Sequence, residues 1–172
     1  MLKIEHLTKV YSNGKKAVDD LSLMVEPGDI YGFIGANGAG KTSTIKSIVG
    51  IHDFDKGEIY ICGHSIRKEP LLCKKRMAFL PDNPDLYKNL TARQFLDFVA
   101  DIYRVSMEKR QAAIEKYSKM FELDTSLDQL ISAYSHGMKQ RLALIAALLH
   151  EPELLILDEP FVGLDPKGAY YF

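Results

Sequence analysis

The sequence is poor in cysteine, in net charge and in long apolar runs, and each shortage closes off a class of function. Cys62 and Cys73 are its two cysteines. They have neither the CxxC spacing nor the nearby histidines of a zinc site, so they read as reduced structural thiols in a cytosolic protein. The formal net charge is −1, which leaves no electrostatic footprint for nucleic acid. Lys74, Lys75 and Arg76 make the one tight basic run, and it reads as a solvated face. The longest apolar run, Leu142–Leu149, falls far short of the roughly 20 residues that cross a bilayer. The start of the chain, MLKIEHLTKVY, alternates polar and apolar residues as a strand does, unlike a secretory leader. There are no repeats and no low-complexity segment. What remains is a chain of 172 residues, 47% hydrophobic and 26% charged, with the size and balance of about one soluble globular domain.

Hydrophobic patterning gives a mixed α/β order. Leu2, Ile4, Leu7 and Val10 suggest an irregular first strand. Leu21, Leu23 and Val25 alternate strictly before a Pro27-Gly28-Asp29 turn. Ile30 to Ile34 reads as a short buried strand, followed by a helix from Lys41 to Val49. Gly57–Ile61 and Met77–Leu80 read as further strands. From Thr91 to about Phe121 the pattern turns helical. Thr91-Ala92-Arg93-Gln94 is a capping box, with Phe95, Phe98, Val99 and Ile102 on one face behind it. Ile114, Tyr117 and Phe121 mark a second amphipathic helix. A further helix is expected from Gly137 to His150, and a last buried strand over Leu154–Leu157. This divides the chain into residues 1–90, a first core part; 91–135, an all-helical insert; and 136–172, the return to the core.

Gly35-Ala36-Asn37-Gly38-Ala39-Gly40-Lys41-Thr42 fits GxxxxGK(S/T) at every fixed position. Glycines let successive backbone N–H groups turn inward around an anion, and the helix behind them adds its positive end. Lys41 is placed to neutralise β- and γ-phosphates, and the Thr42 hydroxyl to ligate Mg²⁺. The competing reading is a chance glycine-rich turn. The run Leu154-Leu155-Ile156-Leu157-Asp158-Glu159-Pro160 places two acids at the carboxyl end of an apolar strand, where parallel sheets hold their ligands. Asp158 is expected to hold Mg²⁺ through a water, and Glu159 to orient or deprotonate the attacking water. An acidic turn after a core strand would look the same in isolation. Together the two motifs point to Mg-nucleotide hydrolysis.

Tyr134-Ser135-His136-Gly137-Met138-Lys139-Gln140-Arg141 precedes the acidic strand and opens a helix. Here the chain resembles the ATP-binding cassette family, whose signature is LSGGQ with a basic, glutamine-containing tail. Ser135, Gly137, Gln140 and Arg141 match, while Tyr134, His136 and Met138 depart from it in the manner of a bacterial exporter-like subgroup. The resemblance runs from residue 1 to 172. It implies a P-loop NTPase fold: a RecA-like core with an amino-terminal β subdomain and an all-helical insert. It implies ATP and Mg²⁺ as cofactors. It also implies a head-to-tail pair with a second ATPase subunit, in which Ser135 and Gly137 meet the γ-phosphate on the partner's loop. A plain serine-capped helix is the alternative for that stretch.

Carried over residue by residue, the resemblance makes Gly35, Asn37, Gly38, Ala39, Gly40, Lys41, Thr42 and Ser43 the nucleotide loop. Tyr11 becomes the aromatic that stacks on adenine. Lys41, Ser135, Gly137 and Glu159 take the catalytic roles, and Thr42, Asp82 and Asp158 the metal roles. Asp82 stands where the family usually has a glutamine that senses Mg²⁺; aspartate is shorter and only accepts hydrogen bonds. Asn83-Pro84-Asp85-Leu86-Tyr87 is then the surface facing a transmembrane permease subunit. Gly163-Leu164-Asp165 is the loop that touches the second ATPase, with Val162 replacing its usual hydroxyl residue. The family also carries a histidine after the acidic strand, whereas His6, His52, His64, His136 and His150 all precede it. The chain is therefore expected to be a fragment that stops before this histidine and before the remaining core strands, the alternative being a genuinely short chain that binds nucleotide better than it turns it over. The function implied is the ATP-hydrolysing subunit of a membrane transporter, an exporter, cytoplasmic and peripheral to the membrane through its permease. A soluble relative in translation or DNA repair and a nucleotide-binding module without turnover are the rivals.

Overall fold

The computed structural model describes residues 1–159. The described residues divide into two compact units, Met1–Ala78 with Glu153–Ile156, and Phe79–Pro152 with Leu157–Glu159.

The first unit is built on β1 (Leu2–Val10), β2 (Lys16–Val25), α1 (Lys41–Ile48), β3 (Lys56–Ile61), β4 (His64–Ser65) and α2 (Pro70–Arg76). Its sheet has the order β2-β1-β3-β4, and its neighbours pair antiparallel. Leu2 lies opposite Val25 and Ile61, and Ile4 opposite Leu23 and Ile59, so the apolar residues of β1 and β3 share one buried face. The irregular alternation of β1 has a structural cause. The register shifts between Ile4 and Leu7, and His6 takes a left-handed φ of 50°. This bulge returns Leu7 to the buried face, which an odd step along a regular strand would not do. Helix α2, which the patterning did not signal, starts on Pro70 at a position where the missing N–H costs nothing. Lys74, Lys75 and Arg76 fill its last turn, where cations suit the helix dipole; the two lysines are exposed, as a solvated face requires.

Strands β5 (Met77–Leu80) and β6 (Leu154–Leu157) pair with each other, and the division between the units runs through both. Glu153 N–H donates to Arg76 O at 2.8 Å and Asp158 N–H to Leu80 O at 2.9 Å. The two positions rise together along the strands, so the pair is parallel. Two expectations fail here. Ile30–Ile34 is not a strand, and Ile30 and Ile34 are 103% and 94% exposed. An extended segment becomes a strand only when a neighbour takes its backbone hydrogen bonds, and none does so among the described residues. Strand β6 forms where expected but is not buried, with Leu155 38% exposed.

The second unit is helical apart from the strand ends. It contains α3 (Ala92–Ile102), α4 (Met107–Met120) and α5 (His136–Leu148), with 3-10 turns at Asp124–Ser126 and Ile131–Ala133. Its core runs from Leu80 and Leu86 through Phe95, Leu96, Ile114, Phe121 and Leu123 to Leu142, Ile145 and Leu149. The capping box is complete: Thr91 Oγ1 accepts from Gln94 N–H at 3.2 Å, and Gln94 Oε1 from Thr91 N–H at 2.9 Å. The buried face of α3 is Ala92, Phe95, Leu96 and Ala100. Phe98 and Ile102, expected on that face, lie at its edge and are 41% and 61% exposed. Phe98 packs edge-on against Tyr87, with ring centroids 5.6 Å apart. Arg110 of α4 is buried and pairs with Asp97 and Asp101 of α3, which ties the two helices together.

Candidate nucleotide site

The nucleotide loop belongs to the first unit. Gly40 caps α1 in a left-handed conformation, φ 93°, and no side chain caps the helix. A Cβ on Gly40 would stand 2.1 Å from Ala17 O, so no other residue fits this backbone. The first-turn N–H groups of α1 have no partner one turn back and no capping oxygen, which leaves them to an anion. Lys41 folds over the loop and donates from Nζ to Gly35 O at 2.6 Å and to Ala36 O at 3.1 Å. Its ammonium therefore sits inside the curve of Gly35–Gly40, whose Asn37, Gly38 and Ala39 are exposed. The Thr42 side chain is also exposed, while Thr44 and Ser47 bury theirs and donate back to Gly40 O and Ser43 O.

Tyr11 and Ser43, expected to face the same nucleotide from distant parts of the sequence, are in contact: Tyr11 Oη and Ser43 Oγ are 2.9 Å apart. The Tyr11 ring is 36% exposed and rests edge-on against His52, with centroids 6.1 Å apart. His52 was not singled out from the sequence, because only the fold brings it to Tyr11.

The second unit holds the acids and the signature stretch. Asp82 follows β5 and Asp158 follows β6, so both leave the same, carboxyl end of a parallel pair. Glu159, the last described residue, is exposed and has φ 50°, a region that non-glycine residues enter at a cost. Among the described residues no three histidines, cysteines or acids come together as a metal cluster. The donors expected for Mg²⁺, Thr42, Asp82 and Asp158, are all hard oxygens of the type that ion takes.

Ser135 caps α5, its Oγ accepting from Met138 N–H at 3.2 Å. That use leaves its own proton to donate. Gly137 has nothing within 4 Å of the place a Cβ would occupy. Tyr134, which departs from the family signature, is a buried anchor: it is 3% exposed and its Oη donates to Ser126 O at 2.8 Å. Burial pushes its phenol above the ordinary value. Gln140 is 2% exposed and donates from Nε2 to Asp82 O at 3.1 Å. The expected contact loop, Val162 to Asp165, lies outside the described residues. No helix among the described residues is long and apolar enough to cross a membrane.

The ABC transporter family matches residues 18–162. The bacitracin transport ATP-binding protein BcrA of Bacillus licheniformis is 43% identical over 168 residues, covering 98% of this chain and 54% of BcrA. The chain thus spans about half the length of the curated relatives it matches. A solved ATP-binding subunit of an ABC transporter superimposes with a TM-score of 0.93 at 33% identity, covering 99% of this chain and 71% of that one. The ATP-binding cassette MJ0796, solved as a post-hydrolysis dimer with ADP and phosphate, gives a TM-score of 0.88 at 25% identity, covering 99% and 79%. With the family match over residues 18–162 and an α/β fold shared with a solved ATP-binding subunit, the chain belongs to the ABC transporter family of ATP-binding domains.

Proposed function

We propose that the protein binds and hydrolyses Mg-ATP as the motor subunit of a membrane exporter, working head to tail with a second ATPase subunit on a transmembrane permease. The observation that carries the reading is the loop itself, a helix end without its own cap, curled around a lysine ammonium. In that role the N–H groups of residues 38–43 and Lys41 hold the phosphates. Tyr11, backed by His52 and tethered to Ser43, offers the adenine its face. Thr42, Asp82 and Asp158 would hold Mg²⁺, which supplies charge neutralisation at the phosphates. Glu159 takes the proton of the attacking water.

Two features support partners. Gly137 sits in the first turn of α5, where glycine costs up to about 1 kcal/mol relative to alanine, and among the described residues nothing lies within 4 Å of where its Cβ would be. A glycine there suits the close approach of a phosphate held by another subunit. Tyr87 and Phe98 form an exposed aromatic pair, 58% and 41% exposed, at the stretch expected to meet a permease. BcrA, by its name a transport protein, agrees with the transport reading.

Replacing Lys41 with alanine removes a charge-assisted bond to phosphate and is expected to weaken Mg-ATP binding in calorimetry by at least about tenfold. Unchanged affinity would refute the loop assignment. Glu159→Gln is expected to trap a dimer in Mg-ATP, and a monomer in sedimentation under those conditions counts against the head-to-tail pair.

A further inference from the structure

Gln140 has a job that the signature motif does not explain. It is the fifth residue of α5, and Leu142, Ala143, Leu144 and Ile145 beside it are buried in the apolar core. A fully buried carboxamide is costly there unless it is hydrogen-bonded. Its Nε2 finds its partner outside the helix, on the backbone carbonyl of a loop residue 58 positions earlier, Asp82.

That loop has little else to hold it. Pro81 and Pro84 flank Asp82 and Asn83, and neither proline has an N–H to donate. Just before them, Leu80 O is fixed by Asp158 N–H at 2.9 Å. Asp82 is thus pinned from two directions, through Leu80 by the acidic strand and through its own carbonyl by α5. Its carboxylate stays exposed and makes no hydrogen bond or ion pair among the described residues. An aspartate has only two side-chain torsions, so where its carboxylate can reach is set by where its backbone is held.

We propose that Gln140 is the positioning residue for Asp82, placing that carboxylate at the carboxyl end of β5–β6, on the same side as Asp158, where a metal-bound water is to be held. The same helix begins with Ser135 and Gly137, so a displacement of α5 is carried through Gln140 to Asp82. The inference rests on the Mg-ATP hydrolase reading.

The test is Gln140→Met, which keeps the volume and removes the donor, assayed for nucleotide affinity by calorimetry and for turnover, each across a Mg²⁺ titration in the full chain. One lost hydrogen bond predicts a Mg²⁺ half-saturation raised about fivefold and kcat lowered about tenfold, with KM for ATP within about twofold. In an Asp82→Ala background the substitution should add nothing, because the group it positions is gone. A Mg²⁺ dependence that does not move, or an equal further loss in the Asp82→Ala background, overturns the proposal and leaves Gln140 a core residue only. If the unmutated chain binds Mg-ATP without turnover, hydrolysis fails as the function. Gln140 is then judged by the same shift in the Mg²⁺ dependence of nucleotide affinity. Should Gln140→Met not fold, Gln140→Asn carries the same expectation, since it draws the amide back by one methylene.

Discussion

Helices α1 and α5 both begin where a phosphate is expected, and they begin in different ways. Helix α1 opens on Gly40 in a left-handed conformation and has no side-chain cap. Helix α5 opens on Ser135, whose hydroxyl already serves Met138 N–H. Among the described residues the first helix start has no side-chain cap, while the second has one. Their glycines differ in the same sense. Gly40 is walled in by Ala17 O, whereas Gly137 faces open space. A start that must close around its own nucleotide has its glycine fixed by intramolecular sterics. A start that served another subunit's nucleotide, as proposed for α5, would have its glycine fixed by something outside the chain.

The largest expected effect is Gly40→Ala. The left-handed backbone and the 2.1 Å approach to Ala17 O act together, and the substitution is expected to cost about 2–5 kcal/mol. Denaturant midpoints measure it. A loss below about 0.5 kcal/mol would mean that the loop has other conformations available and that the comparison fails at its first term. Ser135→Ala comes next. Loss of an N-cap costs about 1 kcal/mol and should leave ATP affinity at the chain's own loop unchanged in calorimetry. A loss of affinity there would show that the two helix starts serve one nucleotide in one chain.

Gly137→Ala reverses the sign. The residue is helical and unobstructed, so alanine is expected to stabilise the chain by about 0.5–1 kcal/mol. Turnover should fall all the same if the added methyl occupies the face proposed to meet a partner's phosphate. A variant that is both more stable and fully active would remove the reason for a glycine at that position.

Local signals were legible and non-local ones were not. The Thr91–Gln94 capping box lies within four residues and formed as the sequence announced. The apolar run Leu154–Leu157 gave its strand, but its exposure depends on what lies beside it. Ile30–Ile34 is also an apolar run, yet it stays unpaired among the described residues, because a strand is a property of two segments. In the candidate site, the phosphate loop is contiguous and could be read whole. Gln140 could be matched to a motif, yet its role depended on a carbonyl 58 residues away. Tyr134 departs from the signature, and only the fold shows what it does there, with its ring buried and its hydroxyl donating to Ser126 O.

The start of α3 supplies the control, since its capping box is complete and no ligand is expected there. Arg93, in its first turn, hydrogen-bonds Asp128, Nε to Oδ1 at 2.8 Å, and this contact holds the Asp128 carboxyl below its ordinary value. A carboxyl depressed in the folded state stabilises the fold above its unfolded pKa of about 3.9, and that contribution is lost as pH falls through the lower folded value. Asp128→Asn should therefore lower the melting temperature slightly and by the same amount at pH 7 and pH 5. The gap between variant and parent should close only under more acidic conditions. The pair is exposed, so salt should shrink the same gap at neutral pH. Nucleotide affinity should not move at all. If it does, a helix cap far from the phosphate loop in sequence affects nucleotide binding, and the contrast between capped and uncapped helix starts would have to be redrawn around all three.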